Sequence, residues 1–218
     1  MNLSNFFVAG GIVMIPLLAL SILALALVME RMVFWFQVTQ KQDQVIQEAM
    51  SLYQRSTRAA FQKLEQNGNL PMARIFLAAL ELDQPTPEEF RLALESAAQA
   101  EIPLLKRFST VFDTVISVSP LLGLLGTVLG LIRSFASLRL GDLASTETAA
   151  VTSGIGEALV STAAGLVVAI ATLLFANMFR GLYQRQIALI QEYGGQMELL
   201  YRRRFERGGQ PYAPTQRT

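Results

Sequence analysis

Cysteine and histidine are both absent from this chain of 218 residues. No disulfide, thiolate nucleophile, zinc site of the usual ligands or imidazole base can therefore form. No nucleophile–base set is visible elsewhere, so the chain reads as a non-enzyme with no cofactor, no metal and no nucleic-acid partner. Charge is also scarce, at 16% of residues. No Lys or Arg occurs before Arg31, and a secretory signal needs a basic segment ahead of its apolar run.

What fills the chain instead is apolar. Hydrophobic residues make up 52% of it, and the mean hydropathy is +0.38. They gather in three charge-free stretches. The first runs from Met1 to Met29 and contains GIVMIPLLALSILALALVM; the second is TVISVSPLLGLLGTVLGLI, residues 114–132; the third is ALVSTAAGLVVAIATLLFANMF, residues 158–179. Each meets the roughly 18–20 residues a helix needs to cross the hydrocarbon of a bilayer. A multi-pass protein of the inner (plasma) membrane with three spans is expected.

The positive charges orient it. Of the 18 basic residues, nine lie between the first and second stretches and seven follow the third, while only Arg133 and Arg139 fall between the second and third. The rule that positive charge stays inside then puts the N-terminus in the periplasm and the C-terminus in the cytoplasm. Phe34-Trp35-Phe36 would lie at the cytoplasmic interface, where amphipathic rings are favoured. Arg31 and the run Arg202-Arg203-Arg204 read as anchors or solvated charge.

The expected fold class is all-α, with three transmembrane helices, two of them extended into a cytoplasmic helical bundle. The divisions are a periplasmic N-terminus and first span over 1–29, a cytoplasmic helical region over 30–110, and a second span over 111–135. A periplasmic connection over 136–149, a third span over 150–180, a cytoplasmic helix over 181–207 and a disordered tail over 208–218 complete it. Helix is expected without pause from Glu30 to about Gln66, where Asn67-Gly68-Asn69 breaks it and Pro71 permits a restart. Thr86-Pro87-Glu88-Glu89 has the order of an N-cap, a first helical proline and the returning carboxylate of a capping box. From there nothing stops the helix until beyond Arg133, although Pro103 and Pro120 should each kink it. Gly194-Gly195 is a weak point in the last helix.

Small residues form stripes on the second and third spans. Gly123, Thr127, Gly130 and Ser134 share one helix face, and Gly126 and Gly130 make a GxxxG pair. Gly154, Ala158, Thr162, Gly165 and Ala169 form the equivalent stripe. Such stripes let helix backbones approach where lipid supplies no hydrophobic drive. If Arg133 and Glu157 mark one depth, Thr127 and Thr162 each lie roughly 8–9 Å further in, at 1.5 Å per residue. Two level hydroxyls either line a polar path or simply bond helix carbonyls. Glu157 itself, heading GIGEALVSTAAGL, is either an interfacial carboxylate or part of that path; Asp113 reads as interfacial.

SVSPLLGLLGTVLGLIRSF followed by GIGEALVSTAAGLVVAI resembles the ExbB/TolQ/MotA proton-channel family, particularly its three-span ExbB/TolQ branch. The resemblance covers residues 111–180 closely and the first span more loosely. It implies pore-facing roles for Thr127, Glu157 and Thr162, with Gly123, Gly126, Gly130, Gly154, Ala158 and Gly165 packing the helices. It also implies a homo-oligomer, a pentamer in the family, around a single-span ExbD/TolR-like partner whose aspartate carries the proton. The expected function is then a stator subunit that turns proton-motive force into work on a TonB-like or Tol-like system. Two positions depart from the family pattern: Ser153 and Ala171 stand where proline is common, which bears on the kink of the third span. A structural membrane scaffold and an autonomous ion channel are the competing classes.

Overall fold

The computed structural model describes residues 11–138 and 146–208. Half of the 136–149 connection, residues 139–145, and the 208–218 tail beyond residue 208 therefore fall outside the described residues, while residues 136–138 and 146–149 are helical. The described residues form helices and turns, with no strand among them. The helices are α1 (Met14–Arg55), α2 (Thr57–Glu65), α3 (Pro71–Leu80), α4 (Pro87–Leu105), α5 (Ser109–Leu138) and α6 (Thr146–Glu206). α1, α5 and α6 are long and apolar enough to cross a membrane. The chain divides into two compact units, one of residues 1–30 and 108–178, the other of residues 31–107 and 179–218.

In the first unit the usual arrangement of sizes is inverted. Large side chains face outward, with Ile15 70%, Val167 66% and Leu174 67% exposed. Inside are Ser119, Ser134, Ala158 and Ser161. A solvent of lipid tails asks for this pattern, because the helices gain from close contact and not from hiding leucines. The start of α1 joins the contact through Val13, Met14 and Leu17, which pack with Leu122, Leu129 and Ala164.

The second unit has a conventional core of Ile46, Leu64, Phe76, Phe90 and Met197, all fully buried. The Phe90 ring stacks on Tyr201 with centroids 4.0 Å apart, and the Tyr201 hydroxyl donates to the Pro85 carbonyl at 2.5 Å. That contact holds α6 against the start of α4. The capping box read from the sequence is present there: Glu89 N–H donates to Thr86 Oγ1 and Thr86 N–H donates to Glu89 Oε2. Arg74 and Glu101 form a two-pronged ion pair between α3 and α4, with Arg74 Nε donating to Glu101 Oε1 at 2.7 Å.

The helix breaks differ from the sequence expectation at two places. The first long helix ends at Arg55, where Ser56 takes an extended backbone (φ −154°) and its hydroxyl caps α2 by accepting from Ala59 N–H. The helix begun at Pro87 also stops, at Leu105. Pro103 has no N–H to offer the Gln99 carbonyl, and within a few residues the chain tightens into an Arg107 N–H to Leu104 carbonyl bond. Phe108 then takes a left-handed backbone (φ +67°) and α5 starts beyond it. Pro120, by contrast, sits inside α5 without ending it. Gly194 and Gly195 do not interrupt α6.

Arg31 also departs from its reading as a solvated anchor. It is 3% exposed. Its Nη1 donates to the Leu104 carbonyl at 3.2 Å, and the guanidinium lies 4.4 Å from the centre of the Phe34 ring. The last carbonyls of a helix lack intrahelical donors, and Arg31 serves one of them at the end of α4.

Candidate functional site

α5 and α6 meet along their small stripes at backbone distance. A Cβ built on Gly123 would lie 3.0 Å from Thr162 Cα and 3.1 Å from the Ser161 carbonyl. One on Gly130 would lie 2.8 Å from the Gly154 carbonyl and 3.1 Å from Ala158 Cβ. At Gly165 an added Cβ would run into the Ser119 carbonyl, at Gly126 into the Ser161 side chain, and at Gly154 into Ser134. At Gly126, Gly130, Gly154 and Gly165 a Cβ would force something to shift, at Gly123 it would be tight, and Ala158 and Ala169 are buried stripe positions that carry a methyl.

The polar groups sit along this seam. Arg133 Nη1 donates to Glu157 Oε1 at 2.7 Å, across from α5 to α6. The Glu157 side chain is 22% exposed and that of Arg133 53%. Gly11, just ahead of α1, has a left-handed backbone (φ +67°), and its α-carbon backs onto the Glu157 carboxylate so closely that a Cβ there would collide with it. The beginning of the first membrane helix thereby covers one side of the ion pair.

Deeper in, Thr162 Oγ1 donates to the Gly123 carbonyl at 3.0 Å, again from α6 to α5. Ser161 Oγ donates to its own helix at the Ala158 carbonyl, 2.9 Å away. Thr127 Oγ1 donates to the Leu124 carbonyl at 2.6 Å, also within its own helix. Arg133 and Glu157 do meet, but the two threonines are not level. Thr162 lies opposite Gly123, one turn or about 6 Å along α5 from Thr127. Each hydroxyl spends its proton on a carbonyl and keeps its oxygen lone pairs, so each can still accept a hydrogen bond.

The arrangement offers one carboxylate with a guanidinium counter-charge, followed inward by three hydroxyls on two adjoining helices. Sequence reading missed Ser161, which is fully buried at the closest point of the seam. Its signal was available, since it falls between Ala158 and Gly165 on the same helix face. Gly11 carried no such signal, because nothing in its neighbourhood of the sequence points to Glu157.

Against known proteins, a family model described as the MotA/TolQ/ExbB proton channel family matches residues 67–192. The chain belongs to the MotA/TolQ/ExbB proton channel family. The match takes in the whole α5/α6 seam, including Arg133, Glu157 and all three hydroxyls. Among MotA/TolQ/ExbB relatives, a Synechocystis sp. protein named ExbB-like 3 is 62% identical over 89% of this chain and 93% of its own length. Another from Synechocystis sp., named ExbB-like 1, is 42% identical over 92% of this chain and 80% of its own length. The Tol-Pal system protein TolQ of Haemophilus influenzae is 38% identical over 47% of this chain and 42% of its own length. Family membership and the three apolar helices make this a multi-pass membrane protein of ExbB/TolQ type.

Proposed function

We propose that the chain is the pore-forming stator subunit of a motor driven by proton-motive force. The observation that carries this reading is the Arg133–Glu157 pair at the head of a seam lined by Ser161, Thr162 and Thr127. A lone carboxylate within a membrane helix costs about 2.5–3.5 kcal/mol on the lenient insertion scale. The guanidinium offsets part of that cost, and proton passage along the seam would give the carboxylate a use.

Glu157 is the one carboxylate bonded across the seam among the described residues, and the chain has no histidine. A proton relay of one acid is short, so a second acid is supplied in this reading by an ExbD/TolR-like single-span partner. The subunits would form a ring, a pentamer by the resemblance, with proton passage beside the partner aspartate coupled to movement of the partner helix. The N-terminus lies in the periplasm and the C-terminus in the cytoplasm, as the basic residues favour. The work is delivered to a TonB-like or Tol-like system, in keeping with the relatives' names.

The test is Glu157→Ala in cells carrying the partner gene. Active uptake or Tol-dependent envelope integrity should be lost while a pull-down still recovers the partner, because a short side chain fits a seam made for small residues. Full activity would return Glu157 to an interfacial role. Loss of the partner together with activity would favour a scaffold, in which the seam serves assembly alone.

A further inference from the structure

A chain of hydrogen bonds in the second unit ends at a small cavity. Met72 N–H, in the first turn of α3, donates to Gln42 Oε1 at 3.4 Å, and Gln42 Nε2 donates to Gln186 Oε1 at 3.0 Å. The first donor is a backbone amide and can only donate, so the orientation of both side-chain amides follows from it. Gln42 receives with its oxygen and gives with its nitrogen; Gln186 must receive with its oxygen, which leaves its own NH2 group facing onward.

That group has no partner among the described residues, and neither has the indole N–H of Trp35. Both side chains are 3% exposed. Both line one cavity of about 20 Å³, together with Thr39, Asp43 and Arg185. Two buried donors against one cavity make a site for an acceptor.

We infer that this cavity binds a single water molecule, which accepts from Trp35 Nε1 and Gln186 Nε2. A water needs roughly 10–15 Å³ of such space and two to four polar partners. The cavity has room for one molecule and not for two. Thr39 and Asp43, which also line the cavity, are residue types whose oxygens can accept the two protons of that water. A cation is disfavoured because both unpartnered groups are N–H donors and Arg185 also lines the cavity. A halide is disfavoured because the Asp43 charge opposes that of Arg185, and because it is wider than water and has no use for the Thr39 and Asp43 oxygens.

The water joins α1, through Trp35, to α6, through Gln186, beside the direct Gln42–Gln186 bond. Every donor in the chain then meets an acceptor in one axial register of α1 against α6. A slip of α1 by one turn breaks the whole series at once, and a slip of α6 breaks every bond but that of Met72 to Gln42. Buried polar groups used in this way specify a helix pairing more than they strengthen it.

Trp35 is the sole tryptophan of the chain, so its indole gives one signal. The full-length protein in detergent, labelled with 15N-indole tryptophan, is studied by NMR for magnetisation transfer between the indole proton and water. The expected result is a cross-peak to a long-lived water, unchanged when bromide replaces chloride. A Gln186→Leu variant should shift the indole resonance by removing the water's second donor. Absence of the water cross-peak in the unmodified protein would overturn the inference. So would a bromide-dependent shift, which would identify an anion in its place.

Discussion

Thr162 and Gly123 are joined by a hydrogen bond from a side-chain hydroxyl to a backbone carbonyl across two membrane helices, at 3.0 Å. The bond exists because Gly123 has no side chain to hold α6 away. A Cβ there would stand 3.0 Å from Thr162 Cα. Small-residue packing and polar chemistry are thus one feature on this seam, since removing either glycine or hydroxyl changes the other's surroundings.

Gly165→Leu should disrupt the α5/α6 contact, because its new atoms meet the Ser119 carbonyl and Gly123 Cα, which are backbone and cannot swing aside. Overpacking of this kind costs about 1–3 kcal/mol or more. Gly156→Ala is the matched control, since nothing lies within 4 Å of a Cβ at that position. Native mass spectrometry and detergent melting curves should show loss of the complex in the first variant and an intact one in the second. Equal behaviour of the two would refute close packing as the role of Gly165.

The two threonines should separate in stability but not in activity. Thr162→Val loses a bond between helices, worth roughly 0.6 kcal/mol on average in membrane proteins. Thr127→Val loses only a bond to its own helix, so its melting temperature should stay near that of the unmodified protein. If both hydroxyls serve the pathway, transduction falls in both variants. Unimpaired transduction in Thr127→Val would confine the pathway to α6.

Alkaline pH should weaken the second unit through Tyr53. Burial is the main cause of its raised pKa, about 12 against an ordinary 10, with the Arg204 guanidinium opposing and Tyr201 adding to the rise. The neutral phenol is therefore the form the fold prefers. Its contribution is fully present below pH 10 and is lost as pH climbs through about 12. Melting temperature should decline over that interval, and Tyr53→Phe should flatten the decline. A decline of the same depth in Tyr53→Phe would assign the effect to other groups.

Orientation can be read with single cysteines, because the chain supplies no background thiol. Ser145→Cys should react with an impermeant thiol reagent added to the periplasm, and Gln54→Cys should react only after the cells are opened. The opposite pattern would reverse the topology and remove the motor reading with it.

The three apolar runs, the capping box at Thr86 and the small stripes were all legible along the chain. Each is a local property: a run of residues meets lipid, a hydroxyl meets an amide three residues on, a face repeats every three or four positions. The axial offset of α5 against α6 was not legible. Sliding one helix by a turn keeps the same stripes facing each other, so Thr127 and Gly123 are equivalent partners for Thr162 until both surfaces interdigitate. The breaks at Ser56 and Phe108 were missed too: Ser56 is an N-cap type without a Gly or Pro beside it to stop the preceding helix, and Phe108 does not announce a helix end by type. Arg31 shows the limit most plainly. By composition it is one more positive charge after a membrane span, and such a charge ordinarily stays in water. Its guanidinium is held instead by the Leu104 carbonyl, which also accepts from Arg107 N–H where the helix stops just past Pro103, 73 residues further along the chain. Local pattern determined which elements form and which faces they bury; which atoms meet across those faces was decided by folding, because that depends on both partners at once.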